Sequence, residues 1–471
     1  MSDLHDLTLL EQAAAVRDKS VSPVELVEHY LARIDKLSDT VGAFVTVTAD
    51  SALEAARAAE QAVAAGVSDL PALHGVPTAI KDLNLVAGVI TRFGTSAMPG
   101  IDLGIDDAVT TKLKAAGLIS LGKTNTPEFG LPCYTEPDVA PPARTPWDLS
   151  RSAGGSSGGA AAAVAAGLVA AAQGSDGGGS IRIPASVCGL FGVKPSRGRV
   201  SNAPVSSEIS GLAVNGPLAR TVRDAAALLD AMSGPAVSDW QWAPPPTSTF
   251  LAACDTSPRR LRIGRFATPV IADAEVHPDC LAAYDAASAA LADLGHELID
   301  HTPTFTAALV PAFETIWSQE FLALPFDESI EANTRPLTRW IRERGRATTG
   351  AQTYAALATL RQAARTELEA THRFDAVLTP TLAQPPALVG ELRNDDDPAA
   401  DFEAQKRFTP FTAPYNMSGQ PAVTVPLHWT DAALPIGVQL VGRPYGEATL
   451  LAIAAQLERA LPWSARRPEC W

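Results

Sequence analysis

The chain has 471 residues, 46% of them apolar and 19% charged, which supplies a sizeable core and excludes a disordered protein. With 37 basic and 52 acidic side chains the net charge is −15, the wrong sign for a nucleic-acid or anionic-membrane partner. The five cysteines (Cys133, Cys188, Cys254, Cys280 and Cys470) are scattered without a C-x-x-C pair, which argues against a disulfide framework or zinc site and for a reducing compartment.

In chain order, "MSDLHDLTLLEQAAAVRDKS" lacks a basic region followed by a long apolar one, so a signal peptide is not expected and the expected location is cytoplasmic. "VSPVELVEHYLARIDKL" predicts a helix capped by Ser22, with Pro23 in its first turn and Glu25 closing a capping box. "SALEAARAAEQAVAAG" predicts a second helix ending at Gly66. "GVPTAIKDL" and "GLISLGKTN" read as strands flanking the helical "DAVTTKLKAAG", a β-α-β unit. The longest apolar run, Ala160 to Ala172, is mostly alanine and too short to span a bilayer, so it reads as one buried helix. "TVRDAAALLDAMSGP" is a helix started by Thr221 and Asp224 and stopped by Gly234-Pro235.

A proline-rich stretch, residues 236–258, makes a soft break before the strand "RRLRIGRF". Helix "DCLAAYDAASAALADLG" and strand "HELIDH" follow, then a mostly helical segment at about 306–370 and the strand "FDAVLTP". Strands "PAVTVPL" and "IGVQLVGR" and the helix "EATLLAIAAQLERAL" complete the chain. This alternation predicts an α/β fold with a mixed, mostly parallel central sheet covered by helices on both faces.

The chemistry concentrates in "SAGGSSGGAAAAVAAGLVAAAQGSDGGGSIRIPAS", residues 152–186, two glycine-serine turns joined by the alanine run, with no histidine. A phosphate cradle fits poorly, because neither G-x-x-x-x-G-K-[ST] nor a strand followed by G-x-G-x-x-G is present. A nucleophile elbow on Ser157 fits poorly as well. It needs a strand just before it, and "TPWDLSRSA" is turn-like; the late histidines His372 and His428 stand in no recognisable context.

A third reading places the chemistry in both turns. "GVPTAIKDL", "LGKTNTPEFG", "GGSSGG", "GSDGGGSIRIPAS", "GLFGVKPSRGRVS" and "NMSGQPAVTVPL…LPIGVQLVGR" occur in the order found in the amidase signature family, and the chain resembles that family over nearly its whole length. The resemblance implies one amidase signature domain over residues 1–471, with a catalytic core at about 70–235 and a pocket-forming helical segment at about 306–370. It also implies a strand-borne lysine, a serine in a cis peptide and a serine nucleophile, which fall on Lys81, Ser156 and Ser180. Ser156 lies 75 residues after Lys81, and Ser180 lies 24 after Ser156.

Taken alone, Lys81 would be read as reaching solvent or pairing with Asp82, and Ser157 as capping the alanine helix. Together the three residues answer the missing histidine. A serine hydroxyl needs a base, and a lysine serves only when neutral; full burial depresses a lysine pKa by up to ~3–5. The N–H groups of Gly177, Gly178, Gly179 and Ser180 are expected to form the oxyanion hole. Glycine at 177, where many family members carry a larger residue, is expected to loosen this turn or widen the pocket. Asp176 and Arg182 read as hydrogen-bonding and ion-pair supports.

For substrate binding the resemblance points to Gly130, Leu131 and Cys133 in "FGLPCYTEP", a loop beside the nucleophile, with Cys133 as a pocket-lining residue and not a second nucleophile. Phe313, Trp317 and Phe321 recur at i, i+4, i+8 on one helix face, as core packing or as pocket wall. No metal or organic cofactor is implied, and the histidines have no H-x-x-x-H or H-E-x-x-H spacing.

Within the family the motifs are most similar to bacterial amidases of the nylon-oligomer cyclic-dimer hydrolase and urethanase type. The expected substrates are therefore small, fairly hydrophobic secondary amides, aryl or aliphatic, with ester and carbamate cleavage beside them, acted on by a monomer or homodimer. The alternative is the glutaminase A subunit of a tRNA-dependent amidotransferase. Its relatives typically carry glutamine where this chain has Ile183 and an acidic stretch where it has "GLAVNGP". A catalytically silent binding protein on the same scaffold is disfavoured by the presence of all three residues.

Overall fold

The computed structural model describes residues 3–204, 206, 209–258 and 260–471. Within them a small sheet holds β1 (Phe44–Val47), β2 (Pro77–Lys81) and β3 (Ile119–Thr124) in the order β1-β3-β2. β2 and β3 run parallel through the helix Ala108–Ala115, as the β-α-β reading requires.

The larger sheet has eight strands. They are β4 (Ala171–Asp176), β5 (Phe191–Lys194), β6 (Val214–Ala219), β7 (Arg262–Arg265), β8 (Glu297–Asp300), β9 (Ala376–Pro380), β10 (Ala422–Trp429) and β11 (Pro435–Gly442). Their order is β4-β6-β5-β10-β11-β9-β7-β8. The α/β class and the mixed sheet agree with the sequence reading; the mostly parallel character does not. Only β7–β8 and β7–β9 are parallel, and the other five pairings are antiparallel.

The reason lies in the connections. β10 and β11 are joined by a tight turn closed by Thr430 N–H to Leu434 O (2.9 Å), and a connection that short allows only an antiparallel pair. Within the larger sheet, among the described residues, the direct strand-helix-strand crossover that the alternation suggests is made by β7 and β8 through Pro278–Asp293.

Alternation along the strands sorts the core. Val423 and Val425 of β10 and Ile436, Val438 and Leu440 of β11 face the helices Val222–Met232, Pro278–Asp293 and Glu447–Ala460. Ala422 and Val441 belong to a second cluster with Phe411 and Tyr415. The segment at about 306–370 is helical, comprising Val310–Leu322, Glu328–Asn333, Pro336–Arg346 and Gly350–Thr371.

Two local readings change. Ser22 caps its helix through Val24 N–H and Glu25 N–H and donates its hydroxyl to Glu60, but the Glu25 carboxylate does not return to the Ser22 N–H, so no capping box closes. The alanine run is not one helix. The helix covers Gly158–Ala165, Gly167 at φ +66 turns the chain, and β4 begins at Ala171. Alanine suits both elements because both are wholly enclosed and neither has room for a larger side chain.

Gly159 marks a tight seam beside the site. A Cβ there would fall 2.3 Å from the Asn125 amide N and 2.6 Å from the Ala43 carbonyl O, both rigid backbone. Gly159→Ala is therefore expected to cost about 1–3 kcal/mol of stability, read as a lower denaturation midpoint. An unchanged midpoint would contradict this packing.

Candidate active site

Lys81 is the last residue of β2, a strand buried along its full length. Its N–H donates to Gln173 Oε1 (2.8 Å) on β4, so the small sheet is pinned to the large one at this residue. Its Nζ lies 2.8 Å from Ser156 Oγ, 3.0 Å from Ser175 Oγ and 3.5 Å from the Ser175 carbonyl O. Among the described residues no carboxylate touches it. Burial lowers its pKa to about 7, against the opposing pull of the Asp176 charge. The neighbour Asp82 does not pair with it, being held by Lys123 at 2.9 Å.

The Gly155–Ser156 peptide is cis. Thr126 Oγ1 donates to the Ser156 carbonyl (3.0 Å), and Ser157 N–H donates to the Ser180 carbonyl (3.1 Å). Ser157 is the residue before the alanine helix but makes no side-chain cap. Its hydroxyl instead donates to Ser175 O (3.0 Å) and accepts Ser175 N–H (3.2 Å). The two glycine-serine turns are thus stitched together through one serine.

Asp176 ends β4 and organises the second turn. Its carboxylate accepts Gly179 N–H (2.8 Å), Ile181 N–H (3.2 Å), two bonds from the Arg182 guanidinium (both 2.9 Å) and one from Asn416 Nδ2 (2.9 Å). Burial pushes this carboxyl up, but Arg182, the Lys194 charge and the Asn416 hydrogen bond together hold the group well below the usual carboxylate range. Arg182, itself fully buried, also donates to Thr412 O, Gln439 Oε1 and Asn416 Oδ1. The support role expected of this pair is what the geometry displays.

The turn then presents its free groups. Among the described residues the N–H groups of Gly177, Gly178 and Ser180 and the Ser180 hydroxyl donate to no protein acceptor. The Gly179 N–H is already engaged by Asp176, and its φ of +138 makes it the position where the turn needs glycine.

Of the residues expected to bind substrate, Leu131, Cys133, Phe313 and Trp317 line one cavity of about 70 Å³ with Gly178 and Ser180. Gly130 is not part of that lining; a Cβ there would come 2.7 Å from Leu83 Cδ1 and 3.3 Å from Ser156 Oγ. Phe321 turns away into a cluster with Leu337 and Ile341. Burial, with Asp401 nearby, pushes the Cys133 thiol well up, so it stays protonated. A larger cavity of about 1000 Å³, bordered by Arg151, His277 and Arg407, includes none of these residues.

A family profile described as Amidase matches residues 25–451. The chain belongs to the amidase family. It is 36% identical to a 6-aminohexanoate-cyclic-dimer hydrolase of Paenarthrobacter ureafaciens, over 97% of this chain and 95% of that one. A solved structure of 6-aminohexanoate cyclic dimer hydrolase complexed with substrate superposes with a TM-score of 0.92, at 33% identity, covering 99% of this chain and 100% of that chain. A bacterial aryl acylamidase gives a TM-score of 0.88 at 27% identity, covering 98% of both chains. This amidase is accordingly a hydrolase acting on amide C–N bonds, and among its described residues no helix is long and apolar enough to cross a membrane.

The amidase's site also draws on residues that the sequence reading passed over. Gln173 and Ser175 sit two apart on β4, so both face Lys81; strand alternation around "AAQGSD" was the available signal. Thr412, Asn416 and Gln439 lie more than 200 residues from the turn they brace, and nothing local marks them. Replacing Arg182 with methionine strands a buried carboxylate, so Arg182→Met is expected to cost about 3–5 kcal/mol in denaturant unfolding. A variant as stable as the parent would contradict the bracing role.

Proposed function

We propose that this amidase hydrolyses small, apolar secondary amides through an acyl-enzyme on Ser180, with Ser156 passing protons between Ser180 and Lys81. The observation that carries the reading is the buried Lys81 amine, 2.8 Å from Ser156 Oγ and, among the described residues, without a carboxylate partner, in a site where Ser157 N–H ties the neighbouring turn to the Ser180 carbonyl. A neutral amine has two N–H donors and one lone pair. The Ser175 carbonyl can only accept, so an N–H is directed there, and Ser175 Oγ takes the second. The lone pair is left for the Ser156 hydroxyl.

In the first half-reaction the Ser180 oxygen bonds to the substrate carbonyl carbon while its proton moves to Ser156 and the Ser156 proton moves to Lys81. The carbonyl oxygen becomes an oxyanion facing the N–H groups of Gly177, Gly178 and Ser180; Gly179 serves by holding the turn on Asp176. The carbon–nitrogen bond breaks as Lys81 returns a proton to Ser156 and Ser156 gives its own to the leaving nitrogen. Water then repeats the sequence on the acyl-enzyme, releasing the acid and restoring Ser180. Esters and carbamates offer the same carbonyl, so their cleavage belongs to the proposal.

The cavity supports an apolar substrate. Lys406, its one charged lining residue, is paired with Glu314 (2.7 Å) and Glu403 (2.5 Å). Free glutamine would find no unpaired counter-charge there, which weighs against a glutaminase subunit. The resemblance to the aryl acylamidase and the cyclic-dimer hydrolase points the same way.

Ser180→Ala is expected to abolish hydrolysis with the fold intact, and Lys81→Met to lower kcat by about 10²–10⁴. Activity of Ser180→Ala, or a Lys81→Met kcat within about tenfold of the parent, would remove the assignment. Across a substrate panel, anilides should exceed acetamide in kcat/KM by about tenfold or more, since burying a ring contributes about 1.5–3 kcal/mol, and an aryl carbamate should be cleaved measurably. An enzyme that takes acetamide or glutamine and ignores anilides and aryl carbamates contradicts the substrate class.

A further inference from the structure

Of the three glycines in the DGGGS turn, only Gly179 has a backbone that favours glycine. Gly177 and Gly178 lie outside the left-handed region, so any residue could adopt their conformation. What crowds a side chain at 177 is Trp317. A Cβ placed there falls 3.3 Å from Trp317 Cη2 and 3.4 Å from Cζ3, with Ala213 Cβ at 3.7 Å. At Gly178 the nearest atom is Phe313 Cζ, at 4.0 Å.

The two rings are stacked, with centroids 5.5 Å apart and planes 19° apart, so one runs along Gly177 and the other along Gly178. Behind them Phe321 meets the Trp317 ring edge-on at 5.2 Å and is anchored in the core, which blocks retreat of the indole. Both rings line the cavity that holds Ser180.

We propose that Trp317 and Gly177 form one size gauge: the indole edge stands close against the position a residue-177 side chain would take and sets the width open to the substrate group beside Ser180. The inference rests on Ser180 being the nucleophile, and it names the group the gauge admits. Gln405 is committed to Cys133 N–H and Asp401, Thr409 donates to the Gln405 carbonyl, and Lys406 is paired with Glu314. With the polar wall thus engaged, the admitted group is a single flat ring, apolar and uncharged; a charged substituent would be buried without a partner.

The test is a double-mutant cycle on the full chain: parent, Gly177→Ala, Trp317→Ala and both together, assayed on acetanilide and on fused-ring analogues enlarged at the acyl or the amine side. Trp317→Ala is expected to raise kcat/KM for one fused-ring series by about tenfold relative to acetanilide. Gly177→Ala should lower acetanilide kcat/KM by about tenfold or more in the parent but by less than about threefold in the Trp317→Ala background. Equal losses in both backgrounds, or an unchanged ranking of ring sizes in Trp317→Ala, overturn the gauge.

Labelling of Ser180 by a fluorophosphonate in all four proteins separates this from the underlying reading. A parent that neither labels nor hydrolyses removes the nucleophile assignment and the gauge with it. A parent that labels and hydrolyses, with additive variants, overturns the gauge alone. Should Gly177→Ala fail to fold, the ring-size ranking of Trp317→Ala decides by itself.

Discussion

A lysine amine has been taken fully out of water at Lys81 and given hydroxyl and carbonyl oxygens, not a carboxylate, as its neighbours. Desolvation without a counter-charge favours the neutral form, and a neutral amine is a base. Two other buried lysines show what each part of that arrangement does. Lys123, on the adjacent strand, is as deeply buried but has Asp82 at 2.9 Å and Thr91 at 2.8 Å, so its charge is partnered. Lys194 on β5 is also lowered to about 7, by burial and the nearby Arg182, yet its amine bonds the Pro195 carbonyl. A low pKa with no hydroxyl in reach supplies no proton route. Among the described residues only Lys81 combines burial, a missing carboxylate and a serine oxygen.

The rest of the site holds that amine against the two turns. Ser157 ties the main chain of Ser175 to that of Ser180, so the base's partners and the proposed nucleophile move as one body. Asp176 fixes the curvature of the second turn, and Arg182 transmits the constraint to Thr412, Asn416 and Gln439 in the C-terminal part of the chain. Such a charged network is tolerable in the interior because each member is hydrogen-bonded. Five antiparallel pairings bring β4 and the C-terminal strands into the same sheet and make this long-range brace possible.

Much of this was readable in the residues. Glycine-serine turns, strand-borne Lys81 and the Phe313–Trp317 stripe are local patterns, and the geometry brings them to one place. Sheet direction was not readable, because strand-helix alternation says nothing about which strands become neighbours; the short β10–β11 turn was the overlooked sign. The alanine run was misread as one helix because alanine carries no periodicity to separate a buried helix from a buried strand. Ser157 looked like a helix cap since capping is a local choice, whereas its actual partner, Ser175, is set by tertiary packing. Gly177 looked like added space, but tertiary packing brings an indole from another segment close against it.

The central claim is that a neutral Lys81 activates Ser180 through Ser156. The rate at which a fluorophosphonate labels Ser180, followed against pH, tests it without dependence on any substrate. Because protonated Lys81 cannot accept, the rate should rise with pH through an apparent pKa near 7, the value that burial gives Lys81. In Lys81→Met that rise should vanish and the rate should stay low at every pH. A parent rate that is flat across this range, or a rise that survives in Lys81→Met, would contradict the account.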